Sequence, residues 1–339
     1  MWQGIQGHDE VVEQFRRSLK AGRLASSYLF LGPAGVGKRT FALKLAKALL
    51  CINSTEETLI PCGQCNSCRL MDAGTHPDVD VVGLPPGKRE LPISLFLGSP
   101  ERRHQEGLCH NIGLRPLMGR RRVAIIDDAD GLNTESANCL LKTLEEPPPG
   151  AVLILIGTNR SRQLPTILSR TQIVRFEPLT TETIAQLLVD QGVVPDQNEA
   201  VKLAAKSNGS LQKATDILVM NLCEYQTQLL RQFHGNSIES MRLVSVVNDF
   251  VADAGTEAEA KRQRLRATFD LVTSHLRSIL RGEDVLQSPN RAPDSRLLAA
   301  LDRCIRAEEE LDRNANQATL LECWADDLSR LLSPTMPPQ

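Results

Sequence analysis

GPAGVGKRT, from Gly32 to Thr40, follows directly on the apolar stretch Tyr28-Leu29-Phe30-Leu31. A glycine-rich turn therefore leads out of a strand and into a helix. Gly32, Gly35 and Gly37 leave room for successive backbone N–H groups to converge on phosphate oxygens at a helix N-terminus, and Lys38 adds a point charge. The spacing G-x4-GK is complete. The next position, which in such loops carries the hydroxyl that ligates Mg2+, is Arg39; the nearest hydroxyl, Thr40, comes one residue later. The loop favours nucleotide binding over catalysis, with Gly32, Gly35, Gly37, Lys38 and Thr40 as the expected contacts.

Four later apolar runs read as buried strands: Val79 to Val82, Val123 to Ile126, Val152 to Ile156 and Ile173 to Phe176. Helical patterns separate them. Val11, Val12, Phe15 and Leu19 recur at helical spacing before Gly22. From Asn133 to Glu146, Ala137, Leu140, Leu141 and Leu144 mark one face, with Asn133 as N-cap and Pro147-Pro148-Pro149 as the stop. Alternating strands and helices predict an α/β fold with a five-stranded parallel sheet covered on both faces and ligands at the carboxyl ends of its strands. VAIIDDAD, Val123 to Asp130, is a strand ending in acids, so Asp127 is placed to hold Mg2+ through water opposite the phosphate loop. Asp128 stands where a catalytic glutamate is usual and is one methylene shorter.

The 339 residues predict two or three domains. With 41% hydrophobic and 24% charged residues, a net charge of −2, no secretory leader and no membrane-length apolar run, the composition predicts a cytoplasmic globular protein without a global drive toward nucleic acid. Arg120-Arg121-Arg122 and the cluster Lys261, Arg262, Arg264, Arg266 are the local basic candidates, read first as solvated faces.

Nine cysteines in such a chain are not read as disulfides. Cys62, Cys65 and Cys68 form C-x2-C-x2-C and, with Cys51 upstream, supply four thiolates for one tetrahedral Zn2+. Asp72 stands where an iron–sulfur pattern of the bacterial type would need its next cysteine. Four thiolates leave no open coordination position, so the zinc is expected to be structural, with the adjacent His76 in a loop role. Cys109, Cys139, Cys223, Cys304 and Cys323 read as small buried hydrophobes.

Beyond Pro178 the pattern is helical throughout. Gly192 closes one helix, Asp196 and Glu199 open a second, Asn208-Gly209 ends it, and Ser210 caps a third. The expected division is a nucleotide-binding core over 1–178 with its zinc module at about 51–68, a small helical lid over 179–221, and an all-α region over 222–339. A polar break is expected at Gly282 to Asp294, and a frayed end at PTMPPQ.

Taken together, GPAGVGKRT, PCGQCNSC, THPD, VAIIDDAD, NCLLKTLEEPPPGAVLILIGTN and LPTILSRTQIVRFEPL resemble the bacterial clamp-loader subunits of the AAA+ class, more narrowly the delta-prime branch with gamma/tau beside it. The specific resemblance spans roughly residues 4 to 215. It implies a member of a five-subunit ring that uses ATP to open a sliding clamp and place it on primed DNA, with gamma/tau and delta subunits of DNA polymerase III as partners, and it makes the C-terminal helices an oligomerisation collar. It implies that Arg170, in Ser169-Arg170-Thr171, projects as an arginine finger into a neighbour's ATP site. It also makes Asn159 the sensor-1 residue, and it puts Gln212 where ATP-hydrolysing relatives carry a sensor-2 arginine.

Arg39, Asp128 and Gln212 thus each depart from a hydrolysing site, whereas Arg170 keeps its place. Three readings compete: an assembly subunit that completes a neighbour's ATPase, an active gamma/tau-type motor in which Thr40 and Asp128 suffice, and a P-loop metabolite kinase, which lacks any recognisable acceptor site.

Overall fold

The computed structural model describes residues 2–85, 88–103, 105–233, 238–255, 257–282, 294–313 and 315–332, with backbone alone for Cys223 and Asp312. The chain divides into two compact units, 1–215 and 216–339. In the first, β1 (Ser27–Leu31), β2 (Val79–Val82), β3 (Arg122–Ile126), β4 (Ala151–Gly157) and β5 (Gln172–Arg175) form one parallel sheet in the order β2-β3-β4-β1-β5.

The helices of this unit are α1 (Asp9–Lys20), α2 (Lys38–Leu50), α3 (Asn66–Asp72), α4 (Ser94–Leu97), α5 (Leu108–Gly113), α6 (Thr134–Glu145), α7 (Pro165–Leu168), α8 (Thr181–Asp190) and α9 (Gln197–Lys206). A further helix, α10 (Leu211–Val219), begins in it.

The central strands β1, β3 and β4 are buried at every position, as parallel strands covered on both faces must be. Their side chains alternate between two cores. Tyr28, Phe30, Ile125 and Ile154 meet Phe15 of α1 and Phe41, Leu45 and Leu49 of α2 on one face. Leu29, Leu31, Ile126, Leu153 and Leu155 meet Phe96, Leu108, Leu140 and Leu144 on the other. The expected burial does not extend to β2 and β5. Each has one neighbour only, β2 is mostly half-buried with Val81 exposed, and Gln172 and Arg175 of β5 are exposed.

Local signals act where the sequence puts them. The Asn133 side chain accepts from Ser136 N–H at 2.9 Å and opens α6, which stops at Glu145 before the proline run. Asp196 caps α9 through Glu199 N–H, Ser210 Oγ accepts from Lys213 N–H, and Asn208 and Gly209 both take positive φ.

The cysteine-bearing insertion is tied to the core at several points. Trp2 Nε1 donates to Leu59 O at 2.7 Å, Arg121 forms a two-pronged pair with Glu56, and Lys47 pairs with Asp72. Ser67 Oγ donates to Leu50 O at 2.7 Å and meets His76 Nε2 at 3.0 Å, while Asp78 N–H donates to His76 Nδ1. His76 Nδ1 must therefore be bare and Nε2 must carry the proton, the neutral tautomer. The ring's role is in the loop.

The basic run at 120–122 also serves the interior. Arg122 is buried, donates to Pro77 O and faces Asp78 and Asp80, and Asp78 accepts from the N–H groups of Leu117 and Met118.

The second unit contains the rest of α10 and then α11 (Leu222–Arg231), α12 (Ser240–Ala252), α13 (Ala258–Arg281), α14 (Asp294–Asp312) and α15 (Gln317–Leu332). Tyr225 stacks on Phe250 at 3.7 Å and shares a hydrogen bond with Thr268, and Phe269 packs on Trp324. Within the basic cluster, Arg264 covers the Phe250 ring and pairs with Asp253, and Arg262 pairs with Glu259.

Of the lone cysteines, Cys304 is buried against Trp324 Nε1 as expected. Cys109 and Cys139 are only half-buried, and Cys323 is exposed on the outer side of α15, so the buried reading fails for those three. The Cys223 side chain, residues 283–293 of the expected break and the 334–339 tail lie outside the described residues. Among the described residues no helix is long and apolar enough to cross a membrane.

His76 supplies a pH test. Burial holds its imidazolium form below the ordinary His pKa, opposed by Asp78. A His depressed in the fold binds fewer protons than in the unfolded chain, so it penalises folding once pH falls below its unfolded value of about 6.5. The denaturant midpoint should fall between about pH 7 and about pH 5.5, and His76→Gln should flatten that decline.

Candidate phosphate-loop and four-cysteine sites

The phosphate loop leaves β1 at Leu31 and enters α2 at Lys38. Gly35 has φ +74° and Gly37 φ +97°, conformations that favour glycine. Gly32 is needed for a different reason, the close approach of two backbones. A Cβ there would sit 2.2 Å from Phe176 O, just past the end of β5. A Cβ on Gly35 would sit 2.3 Å from Ser210 Oγ, and Leu211 N–H at the start of α10 donates to Gly35 O at 3.1 Å.

Above the loop lies a cleft of about 690 Å³, lined among others by Gly35, Gly37, Lys38, Arg39, Thr40 and Asp127. His8 closes one wall, its Nε2 at 2.8 Å from Val36 O. Lys38 is buried and its Nζ donates to Gly32 O and Pro33 O at 2.7 and 2.6 Å. Burial lowers its pKa against the opposing pull of Asp130, Asp127 and Asp128.

Asp127 lies one residue past β3. Burial and then the neighbouring Asp128 raise its pKa, against the pull of the Asp128 N–H, Arg39 and Lys38. Its Oδ2 is 3.3 Å from Arg39 Nε. Asp128 takes the left-handed conformation, φ +54°, and its carboxylate accepts from Leu84 N–H at 3.3 Å.

Asp130 is the acid to which sequence reasoning gave no role. It accepts from Thr158 N–H, from Thr158 Oγ1 and from Gln163 Nε2, fixing the chain as it leaves β4. Its position three residues after Asp127 was visible in VAIIDDAD, but the partner loop was not.

The sensor-1 candidate is placed differently from its neighbour. Thr158 lines the cleft, whereas Asn159 is exposed and its side chain accepts from Ser161 N–H, capping a short 3-10 turn. Gln212 lines the cleft at the head of α10.

Arg170, two residues past α7, lies away from this cleft's lining. Its guanidinium is one-third exposed and is held by Glu145 at 2.6–2.8 Å, Thr166 O at 3.2 Å and Ser169 Oγ at 3.0 Å. Thr171 Oγ1 donates back to Ile167 O and closes the turn.

Cys51, at the C-terminal end of α2, and Cys62, Cys65 and Cys68, around the start of α3, bring their four Sγ atoms within 4.8 Å of one another, an arrangement that could hold a metal ion. Sulfurs at about 2.3 Å from one tetrahedral zinc are about 3.8 Å apart, and Cys51 Sγ lies 4.0 Å from Cys65 Sγ. Backbone N–H groups of Cys62, Cys65 and Cys68 donate to the sulfurs of Cys51, Cys62 and Cys65 respectively. At Cys65, burial pushes the thiol up but the N–H groups of Cys68 and Ile52, with the neighbouring thiols, outweigh it and bring it to about 6. Such donors favour the thiolate that a metal needs.

A family model described as "DNA polymerase III, delta subunit" matches residues 7–180. The chain is 31% identical over 210 residues to DNA polymerase III subunit delta' of Bacillus subtilis, covering 61% of this chain and 58% of that protein. It is 41% identical over 146 residues to subunit delta' of Pseudomonas aeruginosa, covering 43% and 41%. With subunit tau/gamma of Haemophilus influenzae it shares 30% identity over 275 residues, 74% of this chain and 38% of that one. The chain therefore spans less than two thirds of the length of each of these relatives. A solved gamma subunit-related protein from Thermotoga maritima is 17% identical with a TM-score of 0.45, covering 94% of this chain and 99% of its own.

Replacing Asp130 by Ala should cost about 1–3 kcal/mol, because the Thr158 N–H and Gln163 amide lose their acceptor in a half-buried place. Chemical denaturation of the purified chain measures it, and Asp130→Asn should recover part of the loss.

Proposed function

This chain belongs to the DNA polymerase III delta-prime family of AAA+ clamp-loader subunits, and from that premise we propose that it is a non-polymerising assembly subunit of the loader. In this role it completes a neighbouring subunit's ATPase site with Arg170 and does not itself turn over ATP. The partners are gamma/tau and delta, and through the assembly the sliding clamp and primed DNA, in the cytoplasm.

One contrast carries the reading. The guanidinium of Arg170 is presented at the surface on a short, closed turn, with Glu145 as its holding partner. The chain's own cleft, in the same unit, has Arg39 where a metal-ligating hydroxyl belongs, Asp128 engaged by Leu84, and Gln212 where a cation is usual. A fixed guanidinium aimed at developing γ-phosphate charge contributes on the order of 10³–10⁵ in rate. The cleft's own part is to hold nucleotide. Lys38 and the loop N–H groups bind phosphates, Asp127 and Thr40 border them, and Asn159 would need to leave its turn to reach the γ-phosphate as sensor 1.

Residues 179–221 act as a lid whose third helix touches the loop at Gly35, and 222–339 form the oligomerisation collar. Cys51, Cys62, Cys65 and Cys68 hold one structural Zn2+, which cross-links the end of α2 to α3. The metal's closed thiolate set gives it no chemistry beyond that cross-link.

The motor reading differs in one measurement. Turnover by the isolated chain that vanishes in Lys38→Ala would establish it in place of the assembly role.

Arg170→Ala should leave the chain folded by circular dichroism and lower ATP hydrolysis by a reconstituted loader at least about 100-fold at the site it serves; unchanged turnover removes the finger. Metal analysis of freshly purified, reduced protein should find one zinc per chain. Cys65→Ser should lower that content and the thermal midpoint together.

A further inference from the structure

We infer that this nucleotide cleft works without a divalent cation, the guanidinium of Arg39 standing in for the metal beside Asp127. The inference rests on the reading that the cleft accepts a nucleotide. It comes from a misfit between these residues and Mg2+.

An Mg2+ ion at such a loop needs hard oxygen donors in near-octahedral array, usually one hydroxyl from the residue after the lysine and one carboxylate from the facing strand. Here the residue after Lys38 is Arg39, which offers five N–H donors and no lone pair. It repels a dication instead of ligating it.

The carboxylates are also engaged. Asp127 Oδ2 is 3.3 Å from Arg39 Nε, Asp128 accepts from Leu84 N–H, and Asp130 is taken by Thr158 and Gln163. Thr40 borders the cleft, but it is the next residue of α2 and so lies about 100° further round the helix than the position that normally supplies the hydroxyl.

The substitution is also constructive. Arg39 is permanently charged, and its side chain is 62% exposed at the mouth of the cleft. From there it can pair with phosphate oxygens two at a time while its other edge keeps Asp127. With buried Lys38, whose Nζ donates to Gly32 O and Pro33 O of the loop, Arg39 brings a second basic side chain to the cleft. The ligand class is a nucleoside di- or triphosphate in its uncomplexed form.

Binding of a fluorescent N-methylanthraniloyl-ADP to the full chain, followed by anisotropy in excess EDTA and in excess magnesium, tests this. The affinities should agree within about twofold. Arg39→Ser should weaken binding in EDTA about tenfold or more and regain part of it when magnesium is added. Wild-type binding that requires magnesium overturns the inference while leaving the cleft a nucleotide site. Arg39→Ser binding in EDTA as tight as wild type overturns it too, as does binding that survives Lys38→Ala. No binding in either condition by a chain folded by circular dichroism overturns both this inference and the cleft's nucleotide role, but not the separate role of Arg170.

Discussion

The first unit, residues 1–215, depends on a backbone crossing at Gly32. The loop leaves β1 so close to the end of β5 that a single methyl group at that position would overlap the carbonyl oxygen of Phe176. Three residues further on, Gly35 is pressed against Ser210 and Gln212, and its carbonyl accepts the first N–H of α10. The loop is thus held from two sides by segments more than 140 positions away in sequence. Its N–H groups can be preorganised for phosphate because the surroundings, not the ligand, set their directions. The strand order adds to this by placing β4 between β1 and β3, so that loop, acids and Thr158 meet at the carboxyl ends of the three central strands.

Much of this was legible in the residues because the signals were local or periodic. Continuous apolar runs marked β1, β3 and β4, which are buried on both faces. The Asn133 cap and the proline run bounded α6, and the cysteine spacing brought four sulfurs together. The same signal misled at the sheet's edges. β2 and β5 also hold short apolar runs, but Asp80 interrupts the first and Arg175 the second, a local mark of the exposure that their edge positions give them.

The long-range contacts were not legible. Asp130 took its role from Thr158 and Gln163, which the segment after β4 supplies. The Arg120–Arg122 run looked like a solvated face, but Arg121 and Arg122 are spent on Glu56, Asp78 and Asp80. The resemblance marks Asn159 as the sensor-1 candidate, while the local backbone uses that side chain as a turn cap. In each case the side chain's charge or polarity was plain and its partner was not.

On the proposed reading the two arginines divide the chemistry: Arg39 pairs with Asp127 inside its own cleft, and Arg170, paired with Glu145, is the one offered to a neighbour. A surface pair of this kind is worth at most about 1 kcal/mol, which is small beside a charge-assisted contact to phosphate, so Glu145 can give up Arg170 to a partner at little cost. The most direct measurement is a structure of this chain assembled with gamma/tau and delta in the presence of a nonhydrolysable ATP analogue. The account predicts the Arg170 guanidinium within about 3 Å of the γ-phosphate of the adjoining subunit's nucleotide. An assembly in which Arg170 points away from every intersubunit cleft, with Glu145 its only anionic partner, would contradict it.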